Sequence, residues 1–95
     1  MSIHATVNFN NTSHTYNGSD EAKEAVRLTF NPSALESVTR LKLLSTLFIA
    51  ECDRVLSDQK MGGIETRDGS RELAVAKTNM QTASMWAVLG ATKGL

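Results

Sequence analysis

Cysteine is almost missing from this sequence. With Cys52 alone, the chain cannot close a disulfide on itself. Cys52 lies among apolar residues at helical spacing, which reads as a buried thiol. Proline occurs once, at Pro32, so one position imposes a backbone break. Histidine occurs twice, at His4 and His14, and neither has a cysteine or acidic residue at metal-ligand spacing. Glycine-rich phosphate loops and nucleophile elbows are lacking. An excess of one charge is also lacking. The 10 Lys and Arg residues cancel the 10 Asp and Glu residues, so DNA, RNA and membrane surfaces are not indicated as partners. No apolar run is long enough to cross a bilayer. The start "MSIHATVNFNN" has no basic region followed by an apolar one, so the expectation is a cytoplasmic protein without a secretory leader. No cofactor is implied. Catalytic constellations are absent too, and the chain reads as a binding protein rather than an enzyme.

What the chain does contain is helix. Its 95 residues make one small domain, of a size that oligomerisation often supplements. The expected fold is mainly α: an antiparallel two-helix hairpin behind a short N-terminal β-like segment. Residues 1–19 form that segment, and 20–95 the helical-hairpin domain. Ile3, Ala5, Val7 and Phe9 alternate with polar residues, the period of a half-buried strand. "NNTSH" reads as a turn, and "TYNG" as a short returning strand that ends in an Asn-Gly turn. A frayed arm is the alternative.

"SDEAKEAVRL" starts like a helix, capped by Ser19 or Asp20. A long helix is then expected over about 32–59. Two capping schemes fit its start: Asn31 as cap with Pro32 in the first turn, or a Ser33/Glu36 capping box. Val38, Leu41, Phe48, Cys52 and Val55 mark its buried stripe, and Leu44, Leu47 and Ile49 widen it. A single partner helix would not cover that face, which argues for burial between subunits. "DQKMGGIETRDGS" reads as a loop. The second helix is expected over about 70–91, capped by Ser70 or Asp68. Leu73, Ala76, Met80, Ala83, Ala87 and Gly90 form its seam, flanked by Met85 and Trp86.

Candidate ligand groups gather before the first long helix. Thr29, Asn31 and Ser33 are short polar side chains, Phe30 offers an aromatic face, and Arg27 lies just upstream. A helix start also carries unpaired amides and positive partial charge. Arg71 opens the second helix as a second candidate phosphate clamp, and Thr78 lies near its seam. Each has a plainer reading. Phe30 would serve as a hydrophobic staple, Arg71 as a solvated first-turn residue, and Trp86 as core or interface. Thr78 and Gln81 would hydrogen-bond the facing helix.

Two segments carry a resemblance. "AVRLTFNPS" (residues 25–33) and "TNMQTASMWAV" (residues 78–88), with Arg71 upstream of the second, resemble a family of small phage proteins. These are the anti-CBASS and anti-Thoeris nucleotide sponges. The family pattern in the second helix falls here on Thr78, Gln81, Thr82, Ala83, Met85, Trp86 and Ala87. The resemblance spans about 23–92 of the chain. It departs at Arg27, where the family commonly has a small residue, often Gly, and at Leu89-Gly90, where Lys-Ala is common.

The resemblance implies a protein of the infected bacterial cytoplasm. It would assemble as a homo-oligomer, often a hexamer, and sequester cyclic nucleotide immune signals without cleaving them. Cyclic dinucleotides such as cGAMP, and cyclic trinucleotides, are the leading ligands. Arg27, Thr29, Phe30, Asn31, Ser33, Arg71 and Thr78 would bind. Leu41, Leu44, Phe48, Cys52, Met80, Ala83, Met85 and Trp86 would pack the hairpin and the interfaces. Two alternatives stand beside this reading: a sponge for glycocyclic ADP-ribose, suggested by the N-terminal strand, and a helical protein-interaction module with no small ligand.

Overall fold

The structure is a computed structural model that describes residues 3–61 and 68–95. The elements run β1 (His4–Phe9), β2 (Thr12–Asn17), α1 (Asp20–Ala25), α2 (Glu36–Met61) and α3 (Ser70–Ala91). The protein is mainly helical, with one small antiparallel sheet. The N-terminal segment is a hairpin, not a frayed arm. Asn10 and Asn11 both adopt positive φ, 51° and 61°, and make a two-residue turn of the kind that matches strand twist. The register pairs His4 with Asn17 and Phe9 with Thr12. The turn is thus shorter than the predicted "NNTSH", and Thr12 to His14 belong to β2.

The Asn17-Gly18 pair is not a hairpin turn either. It is the joint between β2 and α1, where the hairpin meets α2. A Cβ on Gly18 would lie 2.3 Å from Ile3 Cγ1 and 3.3 Å from Thr46 Cγ2. Gly18 N–H donates to the Ile3 carbonyl (2.9 Å), and Arg54 Nη1 donates to the Thr15 carbonyl (3.2 Å). Ile3 therefore enters the same core as Ala22, Val26, Leu28, Ile49 and Ala50. Val7 and Phe9, on the same strand face, stay exposed, so the strand is covered only at its docked end.

Helix α1 starts as its sequence predicts: Ser19 Oγ accepts from Ala22 N–H at 3.1 Å. Helix α2 starts at Glu36, four residues after Pro32. Neither predicted capping scheme forms, because Asn31 and Ser33 bond elsewhere. The Asn31 amide donates to the Leu35 carbonyl (2.9 Å) and Thr39 Oγ1 (3.1 Å), and Ser33 Oγ donates to Asn31 Oδ1 (2.9 Å). Ala34 adopts a φ of 56°, which keeps this segment out of the helix.

At its other end α2 continues through Met61, just past the expected end near residue 59, so Lys60 and Met61 are helix rather than loop. Within the rest of the predicted loop, residues 62–67 lie outside the described residues. Helix α3 has the predicted bounds. Gly69 is its cap residue, and Asp68 Oδ1 accepts from Ser70 N–H (3.1 Å) and Ser70 Oγ (2.6 Å).

The hairpin seam is more polar than the sequence pattern suggests. On α2 the buried residues are Val38, Lys42, Ser45, Thr46, Ile49, Ala50 and Cys52. Ser45 and Thr46 return their hydroxyls to the carbonyls one turn back, Leu41 and Lys42, both at 2.8 Å. Leu41 is half-buried, while Leu44, Phe48 and Val55 face away from the core. On α3 the buried residue is Ser84, with Met80 packed on the core beside it. Ala83, one position off, is exposed. Met85 and Trp86 are 73% and 69% exposed, so neither holds this hairpin together within one chain. Lys77 and Asp53 link the two helices at 2.7 Å.

Candidate functional site

The segment between α1 and α2 is built from its backbone. Helix α1 ends in a Schellman motif: Leu28 N–H donates to the Lys23 carbonyl (3.0 Å), and Arg27 N–H to that of Glu24 (3.1 Å). That geometry needs a left-handed residue after the cap, and Arg27 supplies it with a φ of 52°. Leu28 then turns into the core. A further turn, from Phe30 N–H to the Arg27 carbonyl (2.9 Å), brings the Phe30 ring under the Arg27 guanidinium. Arg27 Cζ lies 4.2 Å from the ring centroid.

Lys42 fixes this turn onto α2. Its ammonium donates to the Arg27 carbonyl (3.0 Å) and to the Phe30 carbonyl. Its Nζ also lies 5.5 Å from the Phe30 centroid. Burial, and then the nearby Arg27 charge, hold the Lys42 pKa below the ordinary lysine value.

Helix α3 closes the far wall. Gln81 Nε2 donates to the Ala25 carbonyl at 3.2 Å, across to the end of α1. Between these walls lies a cavity of about 250 Å³ lined by Ala25, Val26, Arg27, Phe30, Lys42, Gln81, Ser84, Met85 and Val88. The lining holds two cations, an aromatic ring, an amide, a hydroxyl and a thioether. It holds no carboxylate, imidazole or thiol. Such a surface attracts an anion attached to a planar group.

The predicted ligand residues divide. Arg27 and Phe30 meet in the cavity. Thr29 lines a separate groove with Asp20, Lys23, Glu24, Arg27 and Leu28. Asn31 and Ser33 are engaged in ordering the linker, and both amide hydrogens of Asn31 are committed. Thr78 is exposed and does not line the cavity. Arg71 is exposed beside Glu72, 3.8 Å away, ten residues before Gln81 and so about 15 Å along α3. The helix start expected to present amides near Phe30 begins only at Glu36, whose carboxylate pairs with Arg40 at 3.0 Å.

Sequence reasoning missed Lys42, Ser84 and Val88. Lys42 did carry a signal: it is the lone charge in "LKLLSTLFIA", inside a stretch otherwise read as buried. Met85, read as packing the hairpin and the interfaces, lines the cavity.

The family described as the Acb2/Tad1 hairpin domain matches residues 20–92. The chain belongs to this family. Acb2/Tad1 proteins are the anti-CBASS and anti-Thoeris sponges that the two motifs resemble. The match takes in α1, the linker, α2 and α3, hence every residue that lines the cavity, and it begins after the β-hairpin. No curated protein and no solved structure matches the chain. Membership gives meaning to Arg27. Position 27, where the resemblance leads one to expect a small residue, is left-handed here and held by a residue with a side chain.

Proposed function

We propose that this Acb2/Tad1 chain is a phage anti-defence sponge for cyclic oligonucleotides. It would bind cyclic dinucleotides such as cGAMP, and cyclic trinucleotides, and hold them without cleavage in the cytoplasm of the infected host. The observation that carries this reading is the cavity that joins Arg27, Lys42 and Phe30 with no acidic group in its lining. Cations suit the phosphodiesters, the ring suits a base, and the lining holds no carboxylate, imidazole or thiol to take part in cleavage.

Assembly is part of the proposal. A cavity of about 250 Å³ is smaller than the roughly 300–1,000 Å³ of ordinary small-molecule sites. A wall from a second subunit would enlarge and close it. The chain exposes 7008 Å², roughly 1,600 Å² more than a compact monomer of its 10.3 kDa mass. Its radius of gyration is 15.0 Å, against about 12 Å for a compact chain of this length. Leu44, Phe48 and Val55 on α2, and Val75, Trp86 and Leu89 on α3, form exposed apolar stripes suited to a homo-oligomer.

Calorimetric titration of the purified protein with a panel of cyclic di- and trinucleotides tests the proposal. Micromolar or tighter binding is expected, with intact nucleotide recovered after heat denaturation. Absence of heat across the panel, or recovery of a cleaved product, overturns it.

Glycocyclic ADP-ribose is the second reading. The docked hairpin favours it, because Val7 and Phe9 are exposed on an ordered strand that could cover a ligand. Deleting residues 1–19 would remove Ile3 from the core, so a Val7→Ser/Phe9→Ser double variant is the cleaner probe. Loss of glycocyclic ADP-ribose binding in that variant supports this reading, and unchanged binding rules out the hairpin's part in it.

A further inference from the structure

The two strands of the hairpin have unlike outer edges. Gly18 N–H donates to the Ile3 carbonyl, and the register next pairs His4 with Asn17. Hydrogen-bonded pairs alternate along an antiparallel ladder, so Ile3, Ala5, Val7 and Phe9 turn their backbone groups toward β2. His4, Thr6 and Asn8 turn theirs outward on β1, and Ser13, Thr15 and Asn17 turn theirs outward on β2. The β2 edge lies along α2, where Arg54 Nη1 donates to the outward Thr15 carbonyl (3.2 Å). Among the described residues the sheet has no strand beyond β1, and nothing hydrogen-bonds its outward groups. Natural sequences guard such an edge with lysine, proline or a bulge. β1 reads HATVNF, without lysine or proline, and its register with β2 is unbroken.

We propose that the outer edge of β1 pairs with β1 of a second copy of this chain, antiparallel and centred on Thr6. A two-fold axis there sets Thr6 opposite the partner's Thr6, and His4 opposite the partner's Asn8. Every outward N–H and C=O of the strand then has a hydrogen-bond partner. The neighbouring register, centred on Val7, would set His4 against the turn residue Asn10 instead. Centring on Thr6 also joins two apolar rows. Ile3, Ala5, Val7 and Phe9 share one face of the strand; Ile3 docks in the core, while Val7 and Phe9 are 50% and 65% exposed. Pairing sets Val7 beside the partner's Ala5 and Phe9 beside the partner's Ile3. The exposed end of each row thus meets the docked end of the other. A lone two-stranded hairpin is marginal in water, and the pairing makes a four-stranded sheet. The hairpin precedes the residues 20–92 that match the family, and its edge uses neither the cavity nor the exposed stripes of α2 and α3. The pairing therefore stands or falls apart from the sponge reading.

Two measurements test the edge on the full chain. Amide hydrogen exchange of the wild type reads it directly. Thr6 and Asn8 are expected to be protected along with Ala5 and Val7. Protection at Ala5 and Val7, with Thr6 and Asn8 exchanging freely, overturns the pairing. Light scattering reads the assembly. Thr6 is exposed, so its substitution spares the core. Thr6→Lys sets two like charges face to face at the two-fold axis. It should lower the assembled mass and remove the protection at Asn8, with the helical circular dichroism unchanged. Thr6→Glu should do the same. An equimolar mixture of the two should restore the wild-type mass, because a pairing centred on residue 6 brings the opposite charges together. A Thr6→Lys chain that keeps the wild-type mass and the Asn8 protection overturns the pairing. So does a mixture that fails to restore the mass, or a wild type that is monomeric at micromolar concentration. A wild type that pairs at β1 and binds no cyclic nucleotide supports the edge and overturns the sponge reading.

Discussion

A left-handed backbone at Arg27 costs on the order of 1 kcal/mol relative to glycine, because a Cβ crowds the following carbonyl. Arg27→Gly should therefore stabilise the free protein by about 0.5–1 kcal/mol in urea unfolding while removing a cation from the cavity. A loss of stability would mean that stacking on Phe30 outweighs the strain. Lys42 brings a pH dependence with a definite sign. Burial, and then Arg27, lower its pKa, so the folded state binds fewer protons than the unfolded state between the lowered value and the ordinary one near 10.4. Through that window the Lys42 contribution to stability rises with pH. Cys52 acts in the opposite sense: burial, and then Asp53, raise its thiol pKa, so its contribution falls as pH rises above the unfolded thiol value. Unfolding of a Cys52→Val variant across alkaline pH should expose the rise due to Lys42, and a Lys42→Met/Cys52→Val double variant should flatten it.

Among elements, the β-hairpin and α2 depend on one close approach. Gly18→Ala would drive a methyl into Ile3, a stiff branched side chain within the core. A destabilisation of about 1–3 kcal/mol is expected in denaturant melts, with little effect if the hairpin were dispensable to the core. Much of this level was legible in the sequence. The bounds of α3 and the Ser19 cap followed from local rules that the structure obeys. The start of α2 did not, because Asn31 spends its amide on Leu35 and Thr39 rather than on a helix cap, and no local rule distinguishes the two uses. The seam slipped from Ala83 to Ser84 for a related reason. Helix packing at close range favours small side chains, and hydrophobicity ranks a buried serine too low. The site was half visible: Arg27 and Phe30 are local in sequence, but Lys42, Gln81 and Ser84 join them only through the fold.

For the whole molecule, the exposed stripes of α2 and α3 bear on assembly. Phe48 is 44% exposed and Trp86 69%, both large and only partly covered by their own chain. Phe48→Glu or Trp86→Glu should shift the mass measured by light scattering toward 10.3 kDa and leave the helical circular dichroism in place. An assembled wild type should also melt at temperatures that rise with protein concentration, a dependence the monomeric variants lose. If the wild type itself measures 10.3 kDa at micromolar concentration, a shared-wall site is excluded.

The grip of Lys42 has a consequence for how such a protein changes over generations. It holds carbonyl oxygens, which every residue type possesses. The side chains at positions 27 and 30 can therefore be exchanged while the loop keeps its anchor points. On the function proposed above, a host that altered its signal would meet a phage protein able to alter its reading head without rebuilding the mount.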